Sequence, residues 1–390
     1  LRMDRPMSSP TLDVPPRPPE VPAWKRKQNW LQWLVGGLLG GGVTLGLMLA
    51  VGELDGADLL LIAGAIMLVG WLQLLLHEAG HALAGLAVGL RPLALGVGPL
   101  RAERGGDGWR LRWAGNIAGI GGFALLLPRD DTQGPRQAAV YVLGGPLANL
   151  LSAALAWAAI EAGLADSWPW LALAWITVAV GLALGLANLV PFLAGGWSSD
   201  GRQLLKLWQG SDEARLSATL GRLAGLAMLG VRPRDWPASL SLGFKLDDAP
   251  QGVGDALARC QLVRAIDTGD FDDPAAAEAA ARLAAGFWHG PDGMRQINAL
   301  LLARWLLDTS GGVERAAAWC ELGEGGLLDQ TASRAALRAR IALERGDAGE
   351  ARRQLALAEQ AAPRVPDAAG QAMLAESLAE LREQLAAAPA

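Results

Sequence analysis

The sequence predicts a mainly α-helical protein: a polytopic membrane domain of about four spans with a small cytoplasmic β-hairpin, followed by a soluble all-α domain. Three observations lead there. Of 390 residues, 52% are hydrophobic, and they crowd into the first half of the chain. Between residues 91 and 136 continuous apolar runs give way to strict alternation, and beyond about residue 211 the chain becomes alanine-rich with a helical rhythm.

Residues 1–23 carry Pro10, Pro15, Pro16, Pro18, Pro19 and Pro22 and too few apolar residues to build a core, so a disordered leader is expected. The opening Leu1 suggests an incomplete or reassigned N-terminus. The membrane domain is expected over 24–210. Apolar runs at 31–51, 59–90, 138–160 and 170–193 are each long enough to cross about 30 Å of hydrocarbon at about 1.5 Å per residue. The first is read as a retained span, because about thirty polar and proline-rich residues precede it without a small-residue cleavage site.

Charge sets the expected orientation. Arg2, Arg5, Arg17, Lys25, Arg26 and Lys27 precede the first span, and seven arginines lie between Arg91 and Arg136. The connections at 52–58 and 161–169 carry Glu53, Asp55, Asp58, Glu161 and Asp166 and no lysine or arginine. Both termini are therefore expected in the cytoplasm. The excess of arginine over lysine and the abundance of alanine suit a high-GC bacterium, hence a bacterial inner membrane. A net charge of −5 gives no reason to invoke nucleic acid.

Within 91–136, Leu93, Leu95 and Val97 and then Trp109, Leu111 and Trp113 alternate at period two around the turn-forming run at 104–108. That predicts a hairpin, with a solvated loop as the alternative. Over 211–390 the segments at 262–283, 301–322 and 337–357 each pair two helices across a break at Gly269-Asp270, Ser310-Gly311 or Gly346-Asp347. Arg264, Arg304 and Arg340 mark them at intervals of 40 and 36 residues. A degenerate tetratricopeptide-type array or a plain helical bundle fits, and the former would offer a surface to a protein partner. Cys260 and Cys320 lie here without metal-ligand spacing and are expected as reduced thiols.

The chemistry concentrates in His77-Glu78-Ala79-Gly80-His81, at the end of an apolar run in which Gln73 is the sole strongly polar side chain. Residues four apart share a helix face, so His77 and His81 can grip one metal ion, and Glu78 stands where it can take a proton from water held there. An ionisable side chain at a helix centre in lipid costs about 2.5–3.5 kcal/mol, so three together call for a compensating partner. A catalytic zinc needs a third protein ligand and an open position. His77 lies about 27 Å along its helix from residue 59, near the cytoplasmic edge. The last span brings Pro191 to a similar depth, and Asp200 follows, either as a ligand or as a helix cap.

These residues resemble the site-2 protease family of intramembrane zinc metalloproteases. HEAGH at 77–81, Gly145-Pro146-Leu147-Ala148-Asn149, and Asn188-Leu189-Val190-Pro191 leading to Asp200-Gly201 agree in order over roughly residues 30 to 210, and Gly121-Gly122-Phe123 is similar to that family's Gly-Gly-aromatic stretch. The resemblance implies zinc held by His77, His81 and Asp200, Glu78 as general base, Asn188 near the scissile carbonyl, and Asn149 as a substrate-binding residue. The alternative for both asparagines is interhelical hydrogen bonding. The sequence departs from the pattern in its longer stretch between Pro191 and Asp200. The implied function is cleavage of a membrane protein's transmembrane segment, within the lipid bilayer, near the cytoplasmic face. The alternatives are a non-catalytic zinc-binding scaffold or sensor acting through the helical domain, and a zinc transporter.

Overall fold

The computed structural model describes residues 12–19, 56–105, 108–113, 121–128, 134–194, 197–237, 240, 251–291, 293–309 and 312–387. The span expected at 31–51 and most of the leader expected at 1–23 lie outside the described residues.

Among the described residues, three helices are long and apolar enough to cross a membrane: α1 (Gly56–Ala87), α2 (Pro135–Glu161) and α3 (Trp168–Leu189). Each coincides within about a turn with an expected span. Local signals set their ends. Pro135 opens α2 at a position where its missing N–H costs nothing, and Gln137 Oε1 accepts from the Gly134 amide at 3.1 Å. Gly163, at φ 67°, ends the turn that sends the chain back into α3. Leu60, Met67, Leu83, Leu151 and Leu155 remain more than half exposed, an outward apolar surface suited to lipid.

Glycines bring these helices close. A Cβ on Gly80 would strike the Gly144 carbonyl and one on Gly144 would strike that of Gly80, so α1 and α2 cross with backbones in contact. On the other side of α2, Gly181 of α3 packs on the Asn149 carbonyl and Gly185 on that of Pro146. Thus α2 packs on both α1 and α3, and α1 meets α3 directly through Ile62, Val69, Ala172 and Ile176.

The expected hairpin requires correction. Strands β1 (Arg91–Val97), β2 (Leu100–Gly105), β3 (Gly108–Trp113) and β4 (Gly122–Leu127) form one antiparallel sheet in the order β3-β2-β1-β4. The two alternating segments do not pair with each other. Gly98, at φ 58°, allows a tight turn into β2, whose charged sequence Arg101-Ala102-Glu103-Arg104 hides its strand character. The sheet packs on the end of α1 through Ala82, Leu90, Leu95, Ala124 and Leu126.

A two-stranded ribbon, β5 (Leu193–Ala194) and β6 (Trp197–Ser198), leads from α3 to α4 (Asp200–Gln209) and α5 (Asp212–Met228). Beyond them stand three helical hairpins: α6 (Gln251–Thr268) with α7 (Pro274–Ala285), α8 (Arg295–Asp308) with α9 (Val313–Glu321), and α10 (Thr331–Glu344) with α11 (Ala348–Ala361). Helix α12 (Ala368–Ala387) follows. Gly269 and Gly346 take φ of 72° and 78° at two of the expected breaks, while residues 310 and 311 of the remaining break lie outside the described residues.

Arg101 joins the sheet to this helical region. Its buried guanidinium donates from Nη1 to the carbonyls of Gly326 at 2.7 Å and Leu327 at 3.2 Å. Alongside, Glu103 Oε2 accepts from the Asp329 amide at 3.1 Å. Residues 12–19, inside the stretch expected as a disordered leader, lie against the same helices with Leu12 buried.

Candidate metal centre

On α1 the i, i+4 spacing places both imidazoles toward α2, where Gly145 leaves room for them: a Cβ there would strike His77 Nε2 and His81 Nε2. The third group arrives from α4. Ser199 closes the approach, because its amide donates to the Phe192 carbonyl at 3.1 Å, its hydroxyl donates to the Val190 carbonyl at 2.7 Å, and its Oγ accepts from the Phe192 amide at 3.0 Å. The ribbon β5-β6 takes up the residues in between, so the long stretch after Pro191 does not carry Asp200 away. Ser199 is also the residue that caps α4, accepting from the Arg202 amide, and this leaves the Asp200 carboxylate free to face the histidines. Gly201 fits directly on the Leu189 backbone.

The resulting cluster is buried, with His77, His81 and Asp200 exposed by 6, 7 and 8%. His77 Nε2 lies 3.1 Å from Asp200 Oδ2, His81 Nε2 lies 3.5 Å from Asp200 Oδ1, and the two Nε2 atoms are 3.2 Å apart. An ion with bonds of about 2.0–2.1 Å in a tetrahedron sets its ligands about 3.3 Å apart. The separation of the two Nε2 atoms agrees with that edge, and each imidazole faces a different oxygen of the Asp200 carboxylate at a similar distance. Among the described residues this is the one group of histidine, cysteine and acidic side chains that could hold a metal ion.

The outer nitrogens fix the tautomers. His81 Nδ1 donates to the Tyr141 carbonyl at 2.9 Å. Gly145 N lies farther from that nitrogen, at 3.3 Å, and a carbonyl can only accept. His77 Nδ1 lies 2.6 Å from Asn149 Oδ1. The orientation of that amide is decided by Gln73, whose backbone carbonyl accepts from Asn149 Nδ2 at 2.9 Å and whose Oε1 accepts from it at 2.6 Å. Ser152 in turn accepts from Gln73 Nε2 at 2.8 Å. With both Nδ1 atoms protonated, two Nε2 lone pairs and a carboxylate converge on one point. They repel unless a cation or an added proton lies between them. Where added protons lie there, burial still opposes ionisation of Asp200, but hydrogen bonds from His77 and His81 hold its carboxyl below the ordinary range.

No known family model, curated protein or solved structure matches the chain.

Glu78 is buried beside the cluster, and β4 runs against it, for a Cβ on Gly122 would fall 2.7 Å from Glu78 Oε1. The two asparagines fare differently. Asn149 is fully buried, with its amide committed to His77 and Gln73, so it orients a histidine where the resemblance implied a substrate contact. Asn188 is half-buried near the end of α3, and its Nδ2 donates to the Leu184 carbonyl at 3.0 Å. Gln73, Tyr141 and Ser152 complete the support, and of these the sequence had marked only Gln73, as an isolated polar side chain in an apolar run. The cysteines lie elsewhere: burial pushes the thiols of Cys260 and Cys320 up to about 11, which keeps them protonated.

Proposed function

We propose that the protein is an intramembrane zinc metalloprotease of the site-2 type, cleaving a transmembrane segment of another membrane protein near the cytoplasmic face. The observation that carries this reading is the convergence of two imidazole nitrogens and the Asp200 carboxylate beside a buried glutamate. A site of two imidazoles and one carboxylate, with a fourth position left for water, is the catalytic form of zinc coordination. Zinc, when bound, acidifies water and polarises a carbonyl oxygen.

The chain's own residues supply the rest. His77, His81 and Asp200 would hold the ion. Glu78 Oε1 takes the proton of the attacking water and returns it to the leaving amide nitrogen. Asn188 Nδ2, released from the Leu184 carbonyl, donates to the oxyanion. A helical substrate hides its carbonyls, so the cleaved segment must unwind. Strand β4 pairs with β1 on one side and passes Glu78, and its other side suits an added strand of substrate.

The arginine-rich and acid-only connections support an inner-membrane protein with both ends in the cytoplasm. The packing of Leu12 and the sheet on the helical domain supports the same arrangement, since it keeps these parts on one side. The alanine-rich hairpins fit a tetratricopeptide-like array.

The test compares wild type with Glu78→Gln, purified with metal analysis and incubated with single-span peptides. One zinc per chain in both proteins is expected, with cleavage by wild type and a loss of about 10²–10⁴-fold in the variant. Zinc in both with no cleavage of any peptide by either would leave a structural centre.

A further inference from the structure

Two tryptophans of the helical domain donate their indole N–H to backbone carbonyls of residues 12–15, about three hundred positions earlier in the chain. Trp319 Nε1 donates to the Leu12 carbonyl at 2.8 Å, and Trp288 Nε1 donates to that of Pro15 at 2.7 Å. Phe287 stands between the two rings, edge-on to both at centroid distances of 4.8 and 5.0 Å. Leu12 enters the core cluster containing Phe287 and Trp319, and Val14, two residues on, packs on its surface. Asp13 faces Arg315 at 3.6 Å, and Arg17 lies over the Trp288 ring at 5.8 Å.

This is recognition of an extended chain by its main chain. Pro15, Pro16, Pro18 and Pro19 lock φ near about −65° and bias their predecessors to extended geometry, so the segment presents carbonyls at regular intervals without forming helix or sheet. Aromatic grooves that donate to such carbonyls bind proline-containing peptides, because little conformational freedom is lost on docking. Leu12 and Val14 add apolar contacts, and Asp13 and Arg17 add charged ones.

We propose that the groove of Trp288, Phe287 and Trp319 is a receptor for extended proline-containing peptides, and that residues 12–17 are its resident, exchangeable occupant. The preferred competitor carries the same order: apolar, acidic, apolar, two prolines, then a basic residue. Tethering keeps the resident at an effective concentration of about millimolar, so it excludes weak competitors and yields to a strong or bivalent one.

The test uses a fluorescent peptide of residues 11–19 and the full chain in detergent, read by anisotropy. In a Leu12→Asp, Val14→Asp double variant the groove is vacated, and the peptide is expected to bind at least tenfold more tightly than to wild type. Adding Trp319→Phe, which removes the donor and keeps an aromatic ring, is expected to weaken that binding about tenfold. A second version keeps the native segment and places a specific protease site between Pro19 and Trp24. After cutting, the labelled peptide is expected to displace the released segment, and a scrambled peptide is not. A released segment that never exchanges, equal binding of the scrambled peptide, or no binding to a folded vacated variant overturns the proposal.

Discussion

Asn149 Oδ1 lies 2.6 Å from His77 Nδ1, and the same amide is held from behind by the backbone and side chain of Gln73. A hydrogen-bond chain of Ser152, Gln73 and Asn149 thus sets which nitrogen of His77 faces Asp200. Replacing Asn149 with leucine removes the acceptor while keeping the branched shape of the side chain. Metal affinity is expected to fall about 10–100-fold, measured by competition with a chelator.

Gly145 tests the centre from its other side. In the helix interior alanine is intrinsically favoured over glycine by about 0.8–1 kcal/mol, but here its methyl would occupy the space of both Nε2 atoms. Gly145→Ala is expected to retain helix content by circular dichroism and to lose bound metal. Metal retained at one equivalent would mean that the imidazoles face elsewhere.

Asn188 separates oxyanion stabilisation from packing. If its amide serves the transition state, Asn188→Ala lowers kcat about 10²–10³-fold with zinc retained and KM little changed. An unchanged kcat would reduce Asn188 to a bond with its own helix at Leu184.

Arg101 holds the sheet to the helical domain through two carbonyls. Arg101→Leu removes a charged donor from a buried place and leaves both carbonyls to find other partners, at a cost of about 1–3 kcal/mol. Hydrogen exchange is expected to accelerate in β2 and around residues 326–329, with helices α1, α2 and α3 unaffected.

Much of the site was legible because helix geometry is local. His77 and His81 follow from their spacing alone, and the three apolar runs that became α1, α2 and α3 follow from length and composition. Asp200 was reachable through depth and resemblance, and it lies 3.1 Å from His77 despite the long approach. The ribbon and the Ser199 clasp that make this so depend on pairings across the loop, which no periodicity reports. Strand β2 was missed for a related reason. A buried arginine balanced by distant carbonyls reads as a charged turn until those carbonyls are seen. The leader was judged by its composition, which says that it builds no core and leaves open that it can dock on one.

The crossing at Gly80 and Gly144 leaves no side chain between the two main chains. Its angle is therefore fixed by peptide atoms, which have no alternative rotamers to try. The frame that brings His77 and His81 together is stiff for that reason. For the proposed protease this places the deformation on the segment that enters, and selection would turn on how readily that segment loses its helix, more than on which residues flank the cut.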